Sequence, residues 1–153
     1  YSQIFEYMFV LSKGGKPKTA NLICDKPNKW AGHTSWGQST FRDKDGNKVE
    51  REQKPTPEFS PRNNIWRYAN GKGFTTKDAY AFEHPAMYPE QLAMDHILSW
   101  SNEGDLVLDP FMGSGTTAKM SMEANRNYIG FEIDSTYHDI CMKRTEPKGQ
   151  LPL

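Results

Sequence analysis

The sequence predicts an α/β fold organised around a parallel strand–helix–strand unit in its C-terminal half. Residues 106–108 form a short apolar run of the kind that fills a buried strand. Asp109 and Pro110 end this strand, because proline cannot donate a hydrogen bond to a sheet. Gly113 and Gly115 then allow a tight turn and a close approach of the backbone to a ligand.

A helix and a second strand complete the predicted unit. Residues 118–124 are good helix formers, and Asn125 can end the helix. Residues 128–134 then predict a strand with Glu132 near its end. A strand, a glycine turn, a helix and a strand that ends in an acid form a half-unit that binds nucleotides. The turn amides suit a carboxylate or phosphate, and the acid suits a ribose diol.

Two kinds of ligand fit this geometry. Residues 113–118 match the dinucleotide pattern G-x-G-x-x-A, and Glu132 lies 19 residues after Gly113. Asp109 argues against a dinucleotide, because its carboxylate would repel a pyrophosphate. The same carboxylate suits a ligand with an ammonium group, such as the methionine part of S-adenosylmethionine.

The motif DPFMGSGTT at residues 109–117 resembles the cofactor motif of amino-DNA methyltransferases, which methylate adenine N6 or cytosine N4 from S-adenosylmethionine. Residues 84–92 resemble the preceding segment, which flanks the methionine end of the cofactor. Residues 126–133 resemble the strand whose acid holds the ribose. The three motifs occur in the family's order and cover about residues 84–144. Residues 5–13 are similar to a late strand of the family's catalytic half.

The resemblance implies a Rossmann-like S-adenosylmethionine-dependent methyltransferase fold, partial in this chain, with a loop-rich basic insertion. It implies S-adenosyl-L-methionine as the cofactor and a transfer that needs no metal. It also assigns cofactor-binding residues by position: His84, Pro85, Ala86, Asp109, Phe111, Gly113, Ser114, Gly115, Thr116, Thr117, Glu132 and Ile133.

These positions have distinct expected roles. The turn amides face the methionine part, and Asp109 binds or orients its ammonium group. Thr116 and Thr117 cap the following helix or reach the carboxylate of the ligand. Glu132 accepts hydrogen bonds from both ribose hydroxyls, and Ile133 packs on adenine. His84, outside the turn, is either a cofactor contact or a structural residue at the start of the next helix.

The family's catalytic tetrapeptide is Asp, Asn or Ser followed by two prolines and an aromatic residue, and no two consecutive prolines occur in the 153 residues. In the subgroup with the catalytic motif before the cofactor motif, residues 1–12 correspond to the end of the catalytic half. We therefore expect an N-terminal portion to be missing and this chain alone to be inactive. The alternatives are a non-catalytic DNA-binding relic and a nicotinamide- or flavin-binding oxidoreductase domain.

The charges are divided between the two parts of the chain. Residues 12–80 carry 14 Lys and Arg against 7 Asp and Glu, whereas residues 81–153 carry 5 against 11. A basic half beside an acidic half is consistent with a nucleic-acid partner, and solvated lysine-rich loops are the simpler alternative. By resemblance, residues 13–82 form the target-recognition insertion and residues 83–153 the cofactor-binding half.

The predicted insertion combines basic, amide and aromatic side chains, which neutralise phosphates, read base edges and stack on bases. The candidate DNA contacts are Lys13, Lys16, Lys18, Arg42, Arg62, Asn63, Asn64 and Arg67. The aromatic residues either stack on bases or form a small local core: Trp30, Trp36, Phe41, Phe59, Trp66, Tyr68, Phe74 and Tyr80.

Local patterns predict the remaining elements. Residues 4–11 are apolar and aromatic and predict a strand of the main sheet. Asp45-Gly46-Asn47 predicts a hairpin turn. Residues 89–100 predict an amphipathic helix, and residues 136–144 predict a last helix before the tail.

Cysteine usage and hydropathy indicate the cellular compartment. Cys24 and Cys141 form no paired motif, and the histidines show no metal-ligand spacing with them. No apolar run approaches the roughly 18 residues of a membrane span. We therefore expect a cytoplasmic protein. The resemblance implies double-stranded DNA as its partner, and a homodimer stays an open possibility.

Overall fold

The computed structural model describes residues 5–34, 40–50 and 54–146 and divides the chain into two compact units. The larger unit comprises Tyr1–Asn21 and Arg67–Leu153, and the smaller unit comprises Leu22–Trp66. The strands are β1 Cys24–Pro27, β2 Thr40–Arg42, β3 Lys48–Glu50, β4 Phe59–Pro61, β5 Leu106–Asp109 and β6 Asn127–Gly130. The helices are a 3₁₀ helix at Ala79–Glu83, α1 Glu90–Trp100, α2 Thr116–Glu123 and α3 Ser135–Thr145.

The smaller unit contains two short antiparallel strand pairs. β1 pairs with β4, and β2 pairs with β3. The side chain of Asp43 closes the turn between β2 and β3, because its Oδ1 accepts the backbone N–H groups of Asp45 at 2.9 Å and Asn47 at 2.8 Å. The predicted hairpin turn is therefore confirmed. Trp36 lies outside the described residues.

The larger unit contains the predicted strand–helix–strand arrangement. β5 and β6 pair in parallel, with Leu106 opposite Asn127 and Asp109 opposite Gly130. Helix α2 connects them and packs on both strands, and α1 packs on α2. The core between α1 and α2 consists of Ala93, Ile97, Met120 and Ala124, with Met94 and Val107 packed against it.

The helix ends follow from local chemistry. Asn125 has a positive φ of 58°, a left-handed conformation that asparagine tolerates, and it ends α2 as predicted. Pro89 directly precedes α1 and is compatible with a helix start. Asp134 caps α3 by accepting the backbone N–H groups of Thr136 and Tyr137. The predicted helices at 89–100 and 136–144 are both present, with shifts of one residue at their ends.

The strand predicted for residues 4–11 is wrong over the part that the structure describes. Residue 4 lies outside the described residues, and residues 5–11 have no strand partner among those described. The side chains of Phe9 and Leu11 are 82% and 90% exposed. An apolar alternation becomes a strand only where a second strand offers its backbone groups, and in the described residues β5 pairs with β6 alone.

Strand β5 is also less buried than predicted. Leu106 and Leu108 are 60% and 62% exposed, whereas Val107 packs against the helical core. Side chains alternate between the two faces of a strand, so the helices cover the face of Val107 and leave the other face open. Strand β6 ends at Gly130, so Glu132 lies two residues beyond it and not within a strand of residues 128–134.

The helices in the described ranges are all too short or too polar to span a lipid bilayer. Residues 147–153 of the predicted tail lie outside the described residues. The smaller unit, Leu22–Trp66, spans fewer residues than the predicted insertion at 13–82. Arg67 and the lysines at 13, 16 and 18 belong to the larger unit.

Candidate cofactor site

The turn between β5 and α2 requires glycine at two positions. Gly113 and Gly115 have φ angles of 52° and 80°, in the left-handed region. A Cβ on Gly113 would lie 2.9 Å from Nε2 of His84, and one on Gly115 would lie 2.5 Å from Sγ of Cys141. The turn is therefore packed tightly against its surroundings, and a side chain at either glycine would displace them.

Asp109 organises the start of this turn. Its Oδ1 accepts the backbone N–H of Phe111 at 2.9 Å, and its Oδ2 accepts the hydroxyl of Thr117 at 2.5 Å. The hydroxyl of Tyr88 lies 2.5 Å from the same Thr117 oxygen. Burial raises the pKa of Tyr88, so the phenol is neutral at physiological pH. The Asp109 carboxylate is thereby held at the end of β5 by groups on both sides.

Glu132 joins the far side of the unit to the glycine turn. One carboxylate oxygen accepts the N–H of Gly113 at 2.7 Å, and the other accepts the N–H of Asp134 at 2.9 Å. The bond from Asp134, with that from Gly113, lowers the pKa of Glu132, so the carboxylate is ionised at neutral pH. A carboxylate has about four acceptor positions, so Glu132 keeps capacity to accept hydroxyl groups of a ligand.

A buried ion cluster lies among the 3₁₀ helix, α1, α2 and α3. It consists of Arg144, Lys119, Asp78 and Glu90. The ammonium of Lys119 lies 2.8 Å from a carboxylate oxygen of each acid, and the guanidinium of Arg144 contacts Asp78 at 3.1 Å and Glu90 at 2.6 Å. The two positive and two negative charges balance, which is the condition under which ions are tolerated away from water.

The pKa values of the cluster favour its charged form. Burial disfavours ionised Asp78 and Glu90, but the hydrogen bonds and charges of Lys119 and Arg144 outweigh it and lower the pKa of both acids. Burial likewise opposes the charge of Lys119, but its two acidic partners raise its pKa. Asp78, Glu90 and Lys119 are therefore ionised at neutral pH.

Arg144 connects this cluster to the turn. Its Nη1 donates to the carbonyl oxygen of Ser114 at 2.8 Å, to the Ser114 hydroxyl at 3.2 Å and to Oγ1 of Thr116 at 3.1 Å. Ser114 and Thr116 are buried, so their side chains lie on the protein side of the turn. The N-cap of α2 is Gly115, and it has no side-chain cap bond. The expected capping role of Thr116 and Thr117 is therefore not observed, because their hydroxyls bond Arg144 and Asp109 instead.

Of the three predicted site residues before α1, His84 contacts the glycine turn. His84 accepts the N–H of Ala86 at Nδ1 with a distance of 3.2 Å, and its ring lies edge-on to Tyr137 at 4.4 Å between centroids. Its Nε2 lies against Gly113, which makes it a packing residue of the turn in this structure. Pro85 and Ala86 are exposed.

Two apolar side chains of the predicted site project away from the protein interior. Phe111 is 88% exposed and Ile133 is fully exposed. Phe111 lies two residues after the end of β5, and Ile133 lies three residues after the end of β6. They are free to contact a ligand that reaches the turn.

The candidate DNA contacts are divided between the two units. In the larger unit, Lys13, Lys16, Lys18 and Arg67 are exposed, and in the smaller unit Asn63 and Asn64 are exposed. Arg62 is engaged within its own unit, because it pairs with Asp25 at 2.6 Å and lies 5.1 Å from the ring centroid of Trp66. Arg42 donates to the carbonyl of Gly46 at 2.7 Å and stabilises the hairpin.

The sequence patterns missed the ion cluster and Tyr88. The paired residues are 29 to 66 positions apart in the chain, and no local spacing predicts such pairs. The signal available was weak: Lys119 is the single basic residue of α2, and Arg144 is one of two basic residues in the last turn of α3. Neither cysteine forms a disulfide, and no three acidic, histidine or cysteine side chains of the described ranges are grouped as metal ligands.

The chain matches the family model N6_N4_Mtase, described as DNA methylase, over residues 1–143. It belongs to this family of DNA methylases. The membership confirms the predicted α/β fold class and the resemblance to amino-DNA methyltransferases, and it disfavours the oxidoreductase alternative.

Two relatives and one solved structure illustrate the range of similarity. The chain is 57% identical over 145 residues to the orphan methyltransferase M.BamHII of Bacillus amyloliquefaciens, covering 94% of this chain and 54% of that protein. It is 36% identical over 96 residues to the type II methyltransferase M.Cfr9I of Citrobacter freundii, covering 63% and 30%. The crystal structure of the M1.HpyAVI–SAM complex is 31% identical, with a TM-score of 0.46 and coverage of 65% and 48%. The chain spans about half the length of its relative M.BamHII.

Replacing Gly115 with alanine should destabilise the chain more than replacing Gly104. Gly104 has nearly the same φ, 81° against 80°, but a Cβ there would meet nothing within 4 Å. Gly104→Ala should therefore cost only the left-handed strain of about 1–2 kcal/mol. Gly115→Ala should add about 1–3 kcal/mol of overpacking against Cys141. Urea unfolding of both variants measures the difference, and equal losses would contradict the packing of the turn.

Proposed function

We propose that the protein is a site-specific DNA methyltransferase that transfers a methyl group from S-adenosyl-L-methionine to N6 of adenine or N4 of cytosine. The observation that supports this best is the placement of Glu132 beside Gly113, 2.7 Å from its N–H. This bond brings an ionised acceptor to a glycine turn at the carboxyl ends of two parallel strands, which is where α/β sheets bind ligands.

Asp109 favours S-adenosylmethionine over a dinucleotide. Its carboxylate is fixed at the start of the turn by Phe111 N–H and the Thr117 hydroxyl. A pyrophosphate at this turn would be repelled by it, whereas the ammonium of a methionine group would be attracted. Family membership as a DNA methylase supports the same cofactor.

Each residue of the site has a proposed binding role. Glu132 accepts the ribose hydroxyls, and the exposed side chain of Ile133 covers one face of the adenine. Asp109 orients the ammonium group, and the methionine part lies along the turn. The N–H groups of Phe111, Gly113 and Gly115 donate within the chain, so the expected turn amides are not open donors in this structure. These residues bind and orient the cofactor, which supplies an electrophilic methyl group.

We also propose that this chain binds the cofactor without transferring the methyl group by itself. Transfer requires the target amine to be held in line with the methyl group, since positioning supplies much of the rate. The tetrapeptide with two prolines that performs this in the resembled family does not occur in the 153 residues. The opposite possibility, a relic that binds DNA without any chemistry, would also lack transfer but need not bind the cofactor.

Replacing Glu132 with alanine should weaken S-adenosylhomocysteine binding about tenfold or more, because two charge-assisted hydrogen bonds to the ribose are lost. The affinity of Glu132→Gln should lie between those of the wild type and Glu132→Ala, since an amide oxygen can still accept one hydrogen bond. Glu103→Ala, an exposed acid in the loop before β5, serves as the matched control. Calorimetry on the folded proteins gives the affinities. Unchanged affinity in Glu132→Ala would remove Glu132 from the site, and stabilisation of the wild type by NAD alone would support the oxidoreductase.

Replacing Lys13, Lys16 and Lys18 together with glutamine should flatten the salt dependence of DNA binding. Each lost phosphate contact lowers the slope of log affinity against log salt by about 0.9. Lys143→Gln is the control, because Lys143 lies 4.1 Å from the ring centroid of Tyr80 on the cofactor half. Fluorescence anisotropy with a duplex at several salt concentrations measures the slopes. An unchanged slope in the triple variant would exclude phosphate contacts at these lysines.

The 153-residue chain should incorporate no methyl label into DNA from labelled S-adenosylmethionine. Addition of an upstream segment that carries a Pro-Pro-aromatic motif, in cis or as a separate piece, should produce incorporation, and replacement of that motif's first residue should abolish it. Robust incorporation by the 153-residue chain alone, purified free of other methyltransferases, would show that its catalytic residues have been misplaced.

A further inference from the structure

Arg144 is the most completely enclosed charged side chain of the ion cluster. Its side chain is 0% exposed. Arg144 lies in the last turn of α3, far in sequence from the glycine turn. Nε and Nη2 are engaged by Asp78 and Glu90, which leaves Nη1 directed at the carbonyl oxygen of Ser114, 2.8 Å away. The acids therefore fix the orientation of the guanidinium, and the guanidinium fixes one peptide group of the turn.

The peptide group between Ser114 and Gly115 is held at both ends. Its carbonyl oxygen accepts from Arg144, and its N–H, contributed by Gly115, donates to the carbonyl of Met112 at 2.9 Å. The peptide is planar, so fixing the oxygen fixes the direction of the N–H as well. This matters because Gly115 forms one side of the group and Gly113 precedes Ser114, and glycine adopts many backbone conformations at little steric cost.

A rotated peptide would change the electrostatics of the turn. If the Ser114 carbonyl turned outward, its negative end would face the ligand beside the Asp109 carboxylate. A lysine could not replace Arg144, because only a guanidinium has donors in a rigid fork that reach two acids and a carbonyl together.

We infer that Arg144 is a positioning residue of the proposed cofactor site, which keeps the Ser114 carbonyl directed into the protein and away from the ligand without touching the ligand itself. This inference rests on the proposed function only for the identity of the ligand. The orientation of the peptide is a property of the protein without ligand, and it can be measured separately.

Lys119 provides the matched control. Its ammonium shares both acids with Arg144, at 2.8 Å each, and in the described part of the structure it donates no hydrogen bond to the turn. Lys119→Met therefore removes one charge from the same cluster, as Arg144→Met does, while the bond to Ser114 remains.

The experiment compares Arg144→Met, Arg144→Lys and Lys119→Met with the wild type. Calorimetry with S-adenosylhomocysteine gives the affinity of each folded protein, urea unfolding gives its stability, and NMR hydrogen exchange gives the protection of the Gly115 amide. We expect Arg144→Met and Arg144→Lys to bind at least tenfold more weakly and to exchange the Gly115 amide at least tenfold faster. Lys119→Met should lose stability as Arg144→Met does, because it also leaves a buried charge unpaired. After correction for that loss, its affinity and its Gly115 exchange should change by less than about twofold.

Two results would overturn the inference. One is equal loss of affinity in Arg144→Met and Lys119→Met, which would make Arg144 part of the general packing. The other is unchanged Gly115 exchange in both Arg144 variants. If Arg144→Met does not fold, Arg144→Lys decides, because it keeps the charge and lacks the fork. A wild-type chain that binds no S-adenosylhomocysteine would contradict the proposed function, and the Gly115 exchange would still decide the role of Arg144.

Discussion

The buried pairing of Arg144 and Lys119 with Asp78 and Glu90 is the interaction on which the cofactor-binding half depends. It connects the segment before the 3₁₀ helix with α1, α2 and α3, whose apolar contacts form two separate clusters, one between α1 and α2 and one between α2 and α3. Removing one partner from a buried pair leaves an uncompensated charge and costs about 3–5 kcal/mol. Such a cluster therefore specifies one arrangement of these helices, even where an apolar replacement of all four would be as stable.

The conformation of the glycine turn depends on the position of α3 and on the two strands. Cys141 packs below Gly115 and Arg144 holds Ser114, and both residues lie on α3. Glu132 holds Gly113 from the side of β6, and Asp109 fixes the start of the turn from β5. The turn is thus fixed from three elements before any ligand binds. Pre-organisation of this kind favours binding, because the ordering cost is met on folding.

Local chemistry was sufficient to predict the order β5, turn, α2, β6 from sequence. Pro110 cannot continue a strand, Asn125 tolerates the left-handed conformation that ends a helix, and Glu132 lies at the turn as its spacing predicted. The ion cluster could not be predicted, because its partners meet only once the helices have packed. Residues 5–11 were predicted wrongly for the same reason. Their local apolar alternation is typical of a strand, but no strand of the described residues pairs with it.

A crystal structure of the chain with S-adenosylhomocysteine tests the central claim most directly, namely that the turn and Glu132 together form the cofactor site. We predict density with both ribose hydroxyls within hydrogen-bond distance of Glu132, the amino-acid part against residues 111–115, and the ammonium nearest Asp109. A ligand bound elsewhere on the chain, or at the turn with its ribose remote from Glu132, would contradict the account.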